Sequence, residues 1–560
     1  MEQRRGRSLR APLAIVGVLG LIGGTVVAVR AIAGGDGNCD GGVKLVVAAA
    51  PDVAPAVRDA AARWSATNPE VGGDCVQVQV RAAEPADVAN QLAARAGGAI
   101  NVAATALPSP ADADVPTVWI PDSTAWIVRM QAVSREAFEP DVTSVAASPV
   151  TLAVPDQLAG ALGAGGSGTA GAPQVAALLP KVAGKQVQLA AVDPRRSTAG
   201  LAGAGLLYDS IVTDPKNLVD VVKAYRSIAV APDQAALTKS AGPAQVAPMS
   251  EQAVIAYNSA GPPVSLTALP VDPPVTLDYP YATITGKPRA SLEAAGLFRT
   301  ALTADGNRDL FARLGFRAAD GSTSAGFPAG RGATTAPVTV KPLAEPQKIN
   351  DILGYWTATT APSRVLTLVD VTSSVNRPMA GSGSPSRLQV LRKTATDGLG
   401  LFTDDSELGL WAYASGLPGG KDYQEVVPLN PLNQGQRARL NTAVAGAKAV
   451  GTDVCGLYET VLAAYQALKE GYKEGRSNTV VVFTDGANSK PGMSLETLKL
   501  ELERATDPTR PVRVVLLGVG PDVRQQELAE IAAATGGRSF VVTDPEQIGN
   551  IFLQALIRTG

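Results

Sequence analysis

Three runs of apolar residues constrain the second half of this chain more than anything else in it: 364–369 (RVLTLV), 478–484 (NTVVVFT) and 512–519 (VRVVLLGV). Strands that are apolar throughout have both faces buried, which calls for a parallel sheet with helices on either side. The intervening stretches 386–399, 433–449, 455–470, 495–505 and 524–534 carry helical spacing. Residues 362–560 therefore read as an α/β domain with a doubly wound, Rossmann-like parallel sheet. A looser version of the rhythm runs through 43–320. Strands are expected at 45–50, 76–80, 118–120, 150–154, 187–192 and 282–284, with Ala-rich helices among them. This also reads as α/β with a mostly parallel sheet, and its length suits two lobes around a cleft. Between the two, 318–346 is rich in Gly, Ser, Thr, Ala and Pro, so 321–361 is expected to be a linker.

The amino-terminus has its own pattern. Residues 1–10 carry Arg4, Arg5, Arg7 and Arg10, and 11–29 are uncharged and apolar. As a helix that run reaches about 28 Å, close to one hydrocarbon thickness. We expect a cytoplasmic basic tail at 1–10, a transmembrane signal anchor at 11–33 and an extracytoplasmic remainder, hence a single-pass location at the cell membrane. The triplet Ala31-Ile32-Ala33 offers cleavage as the alternative to retention. In an oxidising compartment, Cys39 and Cys75 would form a disulfide; otherwise they are two small unpaired residues. Cys455 reads as a lone buried thiol.

Composition removes whole classes of function. The 560 residues include no histidine, so no Ser-His-Asp or Cys-His system and no His-bound zinc or haem can exist. A net charge of −2, with no basic cluster beyond the first ten residues, leaves no field for nucleic acid. No phosphate-cradling GxxxxGK[ST] loop occurs, and a non-enzymatic role is expected.

What remains is oxygen chemistry at the carboxyl ends of strands, where such sheets bind ligands. One strand runs into Asp370-Val371-Thr372-Ser373-Ser374, a later loop holds Gly451-Thr452-Asp453, and another strand ends in Thr484-Asp485-Gly486. Alternate residues of an extended loop can turn Asp370, Thr372 and Ser374 toward one point. Carboxylate and hydroxyl oxygens suit Mg²⁺ or Mn²⁺, with Ca²⁺ as a further candidate. Asp, Thr and Ser at strand ends are also ordinary helix caps, which is the plainer reading.

The pattern Asp-x-Thr-x-Ser, then a distant Thr and a distant Asp, resembles the metal-ion-dependent adhesion site of the von Willebrand factor A family. The resemblance implies metal ligands at Asp370, Thr372, Ser374, Thr452 and Asp485, with Thr372 where the family usually has Ser. It also implies a partner protein, extracellular or of the cell envelope, that completes the metal shell with an acidic residue. The first domain resembles type II periplasmic solute-binding proteins in Trp119-Ile120-Pro121-Asp122-Ser123, in Asp193-Pro194-Arg195-Arg196-Ser197-Thr198-Ala199-Gly200 and in Leu277-Asp278-Tyr279-Pro280-Tyr281. That resemblance implies lobe crossings near 145–152 and 275–284. It implies binding of a small anionic solute by Ser197, Thr198 and Arg195, although a helix cap with solvated arginines explains those residues equally well. Together the halves resemble actinobacterial envelope proteins. The expected role is a metal-dependent protein-binding or adhesion module with the first domain as sensor or spacer. A tethered receptor for an ABC-type transporter, docked through the last domain, is the alternative.

Overall fold

The computed structural model describes residues 42–102, 115–160, 169–379, 383–400, 402–486, 488–507 and 510–542. The two expected domains are present, and the first has two lobes. The sheet of one lobe runs in the order Glu70–Val71, Asp74–Ala82, Gly42–Ala49, Val118–Ile120, Pro280–Thr283, Thr143–Ser144. The other runs Leu266–Pro270, Ser148–Pro155, Gln245–Ser250, Gln188–Val192, Ala229–Ala231, with Thr276–Leu277 also paired to Ser148–Pro155. The chain thus crosses between Ser144 and Ser148 and returns between Leu277 and Pro280, inside both expected windows.

Each of these sheets is mixed rather than mostly parallel. Gly42–Ala49 pairs in parallel with both neighbours, but Pro280–Thr283 joins antiparallel, as do the strands on either side of Ser148–Pro155. A strand that returns from the other lobe arrives at the opposite end of the sheet. The hinge therefore imposes the reversal, which local periodicity does not record.

The last domain has one sheet in the order Tyr423–Pro431, Glu407–Tyr413, Ser363–Asp370, Ser477–Thr484, Val512–Val519, Ser539–Val542. All of its pairs are parallel except that of the edge strand Tyr423–Pro431. Alternation splits the apolar runs between two cores. Val365, Val481 and Phe483 enter one, while Leu366, Leu368, Val480 and Val482 enter the other. The helix Leu457–Glu470 buries Leu457, Val461, Ala464, Tyr465 and Leu468, the stripe its spacing requires. Strand order reverses beside Ser363–Asp370: the chain first builds outward on one side of it with Glu407–Tyr413 and Tyr423–Pro431, then crosses to its other side with Ser477–Thr484. This is the topological switch point at which such sheets open a crevice.

The segment expected as a linker is laid against the first domain. The Ala268 N–H donates to the Arg331 carbonyl at 2.8 Å and the Thr276 N–H to the Lys341 carbonyl at 2.8 Å. Arg317, 1% exposed, forks onto Glu251 at 2.7 and 2.9 Å and donates to the carbonyls of Thr334 and Ala336 at 2.7 and 2.8 Å. Gly332 sits at φ +92°, where a Cβ would stand 2.0 Å from the Ala268 carbonyl oxygen. Beyond this strap, helix Pro346–Thr360 buries Ile349, Ile352, Leu353 and Trp356 in the first domain's core. Leu218 and Val222 of helix Leu218–Ser227 in turn enter a core of the last domain, and Arg226 Nε donates to the Thr359 carbonyl at 2.8 Å.

The expected single-pass membrane location is corrected. Among the described residues no helix is long and apolar enough to cross a membrane. The 16 residues of Thr198–Thr213 extend only about 24 Å, short of a hydrocarbon core. The run 11–29, on which the expectation rested, lies outside the described residues, as does Cys39 of the expected disulfide. Cys455 is a free, buried thiol.

Candidate functional site

Two places gather the predicted residues, one in each domain. In the last domain, Asp370 closes the strand Ser363–Asp370, and Asp485 follows the neighbouring strand Ser477–Thr484. The parallel register sets Val369 beside Phe483, so both carboxyl groups emerge at the same sheet edge. They are 1% and 2% exposed. Asp370 Oδ1 accepts from the Thr372 N–H at 2.9 Å and from Thr372 Oγ1 at 2.7 Å. Thr372 and Ser374 hydroxyls lie 2.8 Å apart, and Ser374 Oγ donates to Asp485 Oδ1 at 2.9 Å. Four of the five expected side chains thus form one connected set. The fifth, Thr452, borders it: its carbonyl accepts from the Ser373 N–H at 2.8 Å, while its hydroxyl accepts from the Val454 N–H at 3.1 Å. Ser373 Oγ bonds Asp453 on the same rim.

Burial sets the electrostatics. It pushes Asp370 up to about 6, helped by the charge of Asp485. Asp370 has no cationic partner among the described residues; its second oxygen faces Thr484 Oγ1 at 3.5 Å and the Cys455 thiol at 3.9 Å. The thiol is itself driven far above its ordinary range by burial, with Asp370 adding to the effect. Two desolvated carboxyl groups joined by two hydroxyls are a donor set that a hard divalent cation fits. Thr372 supplies the same oxygen as serine, and its added methyl is accommodated with the residue 1% exposed. Among the described residues no group of three or more acidic or cysteine side chains offers a metal site, so any cation here depends on the hydroxyls.

One residue at this site was not anticipated. Arg387 opens the helix Arg387–Leu399, is 3% exposed, and directs Nη1 at Asp485 Oδ2 (3.1 Å) and at the Asp485 carbonyl (3.2 Å). Its Nη2 reaches Asp522. Its position just after the capping Ser386, where a cation mildly opposes the helix dipole, does not by itself point to a site; its partners lie far away in the sequence.

In the first domain, the loops after the strands of both lobes enclose a cleft of about 650 Å³ lined by Asp52, Glu84, Asp122, Arg196, Asp233 and Gln252, among others. The lobes touch across it. Thr198 Oγ1 donates to Asp122 Oδ1 at 2.8 Å, Arg196 pairs with Asp87 at 2.6 Å, and Arg129 Nη1 donates to the Arg195 carbonyl at 3.2 Å. The residues expected to hold an anion have protein partners. Arg195 forks onto Asp193 at 3.0 and 2.6 Å, and Ser197 Oγ accepts from the Gly200 N–H at 3.1 Å, capping the helix Thr198–Thr213. The remaining lining is rich in carboxyl groups. Burial raises Asp122 to about 7, with Asp52 adding to it, and raises Glu84 to about 7, with Asp87 and Asp52 adding. Asp52, which accepts a hydrogen bond from the Tyr279 hydroxyl, is raised by burial as well.

Comparison with known proteins gives the same division of the chain. The family model described as bacterial extracellular solute-binding protein matches residues 45–317, and that of the von Willebrand factor type A domain matches 365–554. An uncharacterized protein of Mycobacterium tuberculosis is 25% identical over 589 residues, covering 96% of this chain and 81% of its own. Among solved structures, a von Willebrand factor type A protein from Catenulispora acidiphila is 17% identical with a TM-score of 0.29, over 36% of this chain and 43% of that one, less than half its length. The substrate-binding protein of an ABC transporter from Agrobacterium tumefaciens is 13% identical with a TM-score of 0.39, over 56% of this chain and 95% of that one. The chain carries a bacterial solute-binding domain over residues 45–317, followed by a von Willebrand factor type A domain over residues 365–554.

Proposed function

We propose that this is a non-enzymatic binding protein whose last domain holds a divalent cation, Mg²⁺ or Mn²⁺ before Ca²⁺, and uses it to grip an acidic group of a partner protein. The observation that carries the reading is the convergence of Asp370, Thr372, Ser374 and Asp485 into one hydrogen-bonded set at the switch point of a parallel sheet. Thr452 borders that set and is the fifth candidate ligand. A bound cation would relieve the burial penalty on Asp370, and these side chains leave room in its shell for an outside oxygen. The test is calorimetric titration of the full chain with Mn²⁺ and Mg²⁺ beside Asp370→Ala and Asp485→Ala. Saturable binding abolished in both variants supports the reading. A folded parent chain that takes up neither ion removes it.

The first domain serves as sensor or spacer in this reading. Its inter-lobe cleft keeps the receptor alternative in view, with solute capture as the primary activity and the last domain as a docking module for a transporter. A thermal-shift panel of anions, amino acids and amines decides between these roles. The carboxyl-rich lining makes the amines as necessary to the panel as the anions expected from Ser197, Thr198 and Arg195. A saturable shift from one class supports a solute-binding role, and a solute-uptake defect on deletion of the chain then marks the receptor rather than the sensor; silence across the panel supports a spacer.

A further inference from the structure

Arg387 is the buried charge that the metal reading leaves unused. Its guanidinium is shared between Asp485, which is 2% exposed, and Asp522, whose side chain is 52% exposed. It stands close because Gly520, at φ +106°, has no side chain; a Cβ there would meet Arg387 Nε at 2.8 Å. That Nε is buried and has no hydrogen-bond partner among the described residues, so the guanidinium is held by its two carboxylates and the Asp485 carbonyl and not by a full set of bonds. Nη1 occupies Asp485 Oδ2, which leaves Oδ1 turned to Ser374 and toward the candidate ligand set.

We infer that Arg387 is a positioning residue and built-in counter-charge: it fixes which oxygen of Asp485 faces the cation, and it biases the loaded site toward an anionic ligand. This inference rests on the proposed metal site. Among the buried groups, Asp370 and Asp485 are offset by one guanidinium, leaving one negative charge. A divalent cation reverses this to one positive charge in a low-dielectric pocket. Without Arg387 the loaded pocket would be neutral, holding the cation more tightly and attracting a carboxylate less. Asp522, at the solvent edge, draws part of the guanidinium's charge away, so removing it acts in the opposite sense to removing Arg387.

The experiment is Mn²⁺ titration of the full chain, read by the electron paramagnetic resonance of free Mn²⁺. Acetate is then added to the loaded protein, read by water-proton relaxation of the bound ion. Arg387→Gln is expected to bind Mn²⁺ about fivefold or more tighter and acetate several-fold weaker. Asp522→Asn, at an exposed position, is expected to move both in reverse. Arg387→Lys keeps the charge without the fork: it should stay near the parent in acetate affinity and lose Mn²⁺ affinity only through the looser Asp485. Matching shifts in Arg387→Gln and Asp522→Asn, or acetate affinity indifferent to both, overturn the inference while leaving the metal site standing. A parent chain that binds no Mn²⁺ overturns both, and the first titration shows it before acetate is added.

Discussion

Replacing Asp122 by asparagine should stabilise the first domain at pH 8 and do little at pH 4. Asp122 lies between the lobes, with its ordinary value of 3.8 raised to about 7 by burial and then by Asp52. A carboxyl whose folded-state pKa exceeds its unfolded value keeps its proton longer in the folded chain. It therefore costs nothing below about pH 4 and destabilises progressively as the pH rises toward 7. The gap corresponds to about 4 kcal/mol at about 1.4 kcal/mol per tenfold change in proton affinity. Asparagine keeps an oxygen for the Thr198 hydroxyl, now 2.8 Å from Oδ1, but accepts a neutral bond in place of a charge-assisted one, which returns about 1 kcal/mol. The net gain expected at pH 8 is about 2–3 kcal/mol. The assay is urea unfolding of the full chain at pH 4, 6 and 8, followed by tryptophan fluorescence, with Trp119 and Trp126 buried in the same lobe. Two domains need not unfold together, so the transition that moves with pH is the one compared. A variant no more stable than the parent at pH 8, or equally stabilised at pH 4 and 8, would refute the argument that Asp122 is held ionised at a cost.

Arg317→Met leaves Glu251, which lines the same buried pair at 6% side-chain exposure, without its cation; a loss of about 3–5 kcal/mol is expected in urea unfolding, together with new protease cleavage within 318–346. The double variant with Glu251→Gln should recover much of that loss, which a purely steric effect of Met would not allow. Gly332→Ala forces a Cβ to within 2.0 Å of the Ala268 carbonyl oxygen at a positive φ, so the strap should detach locally, with faster amide exchange at Ala268 and a cost of about 2 kcal/mol or more. Cys455, buried with its thiol pushed up by desolvation and by Asp370, should resist a thiol reagent in the native chain at pH 8 and react only on unfolding.

The sequence made the last domain legible because its strands are buried on both faces. A run such as 478–484 admits few other folds, and Ser477–Thr484 lies within a residue of it. The strand Tyr423–Pro431 was invisible for the opposite reason. It is an edge strand with mostly exposed side chains and two prolines, so neither alternation nor apolar content marks it. The metal-site candidates were legible because hydroxyls and carboxyls at strand ends keep a fixed order along the chain. Arg387 was not, since its role depends on Asp485 and Asp522, 98 and 135 positions away. The strap shows the same limit from another side. Residues 321–345 lack the apolar periodicity of a packed segment, and much of what holds them is carbonyl oxygens accepting from Arg317, Ala268 and Thr276. Backbone hydrogen bonding leaves no trace in residue identity, apart from the glycine that close approach demands. Composition therefore separates a chain that buries its side chains from one that does not. It does not separate a free linker from one anchored through its main chain, and here that difference fixes how the two domains are joined.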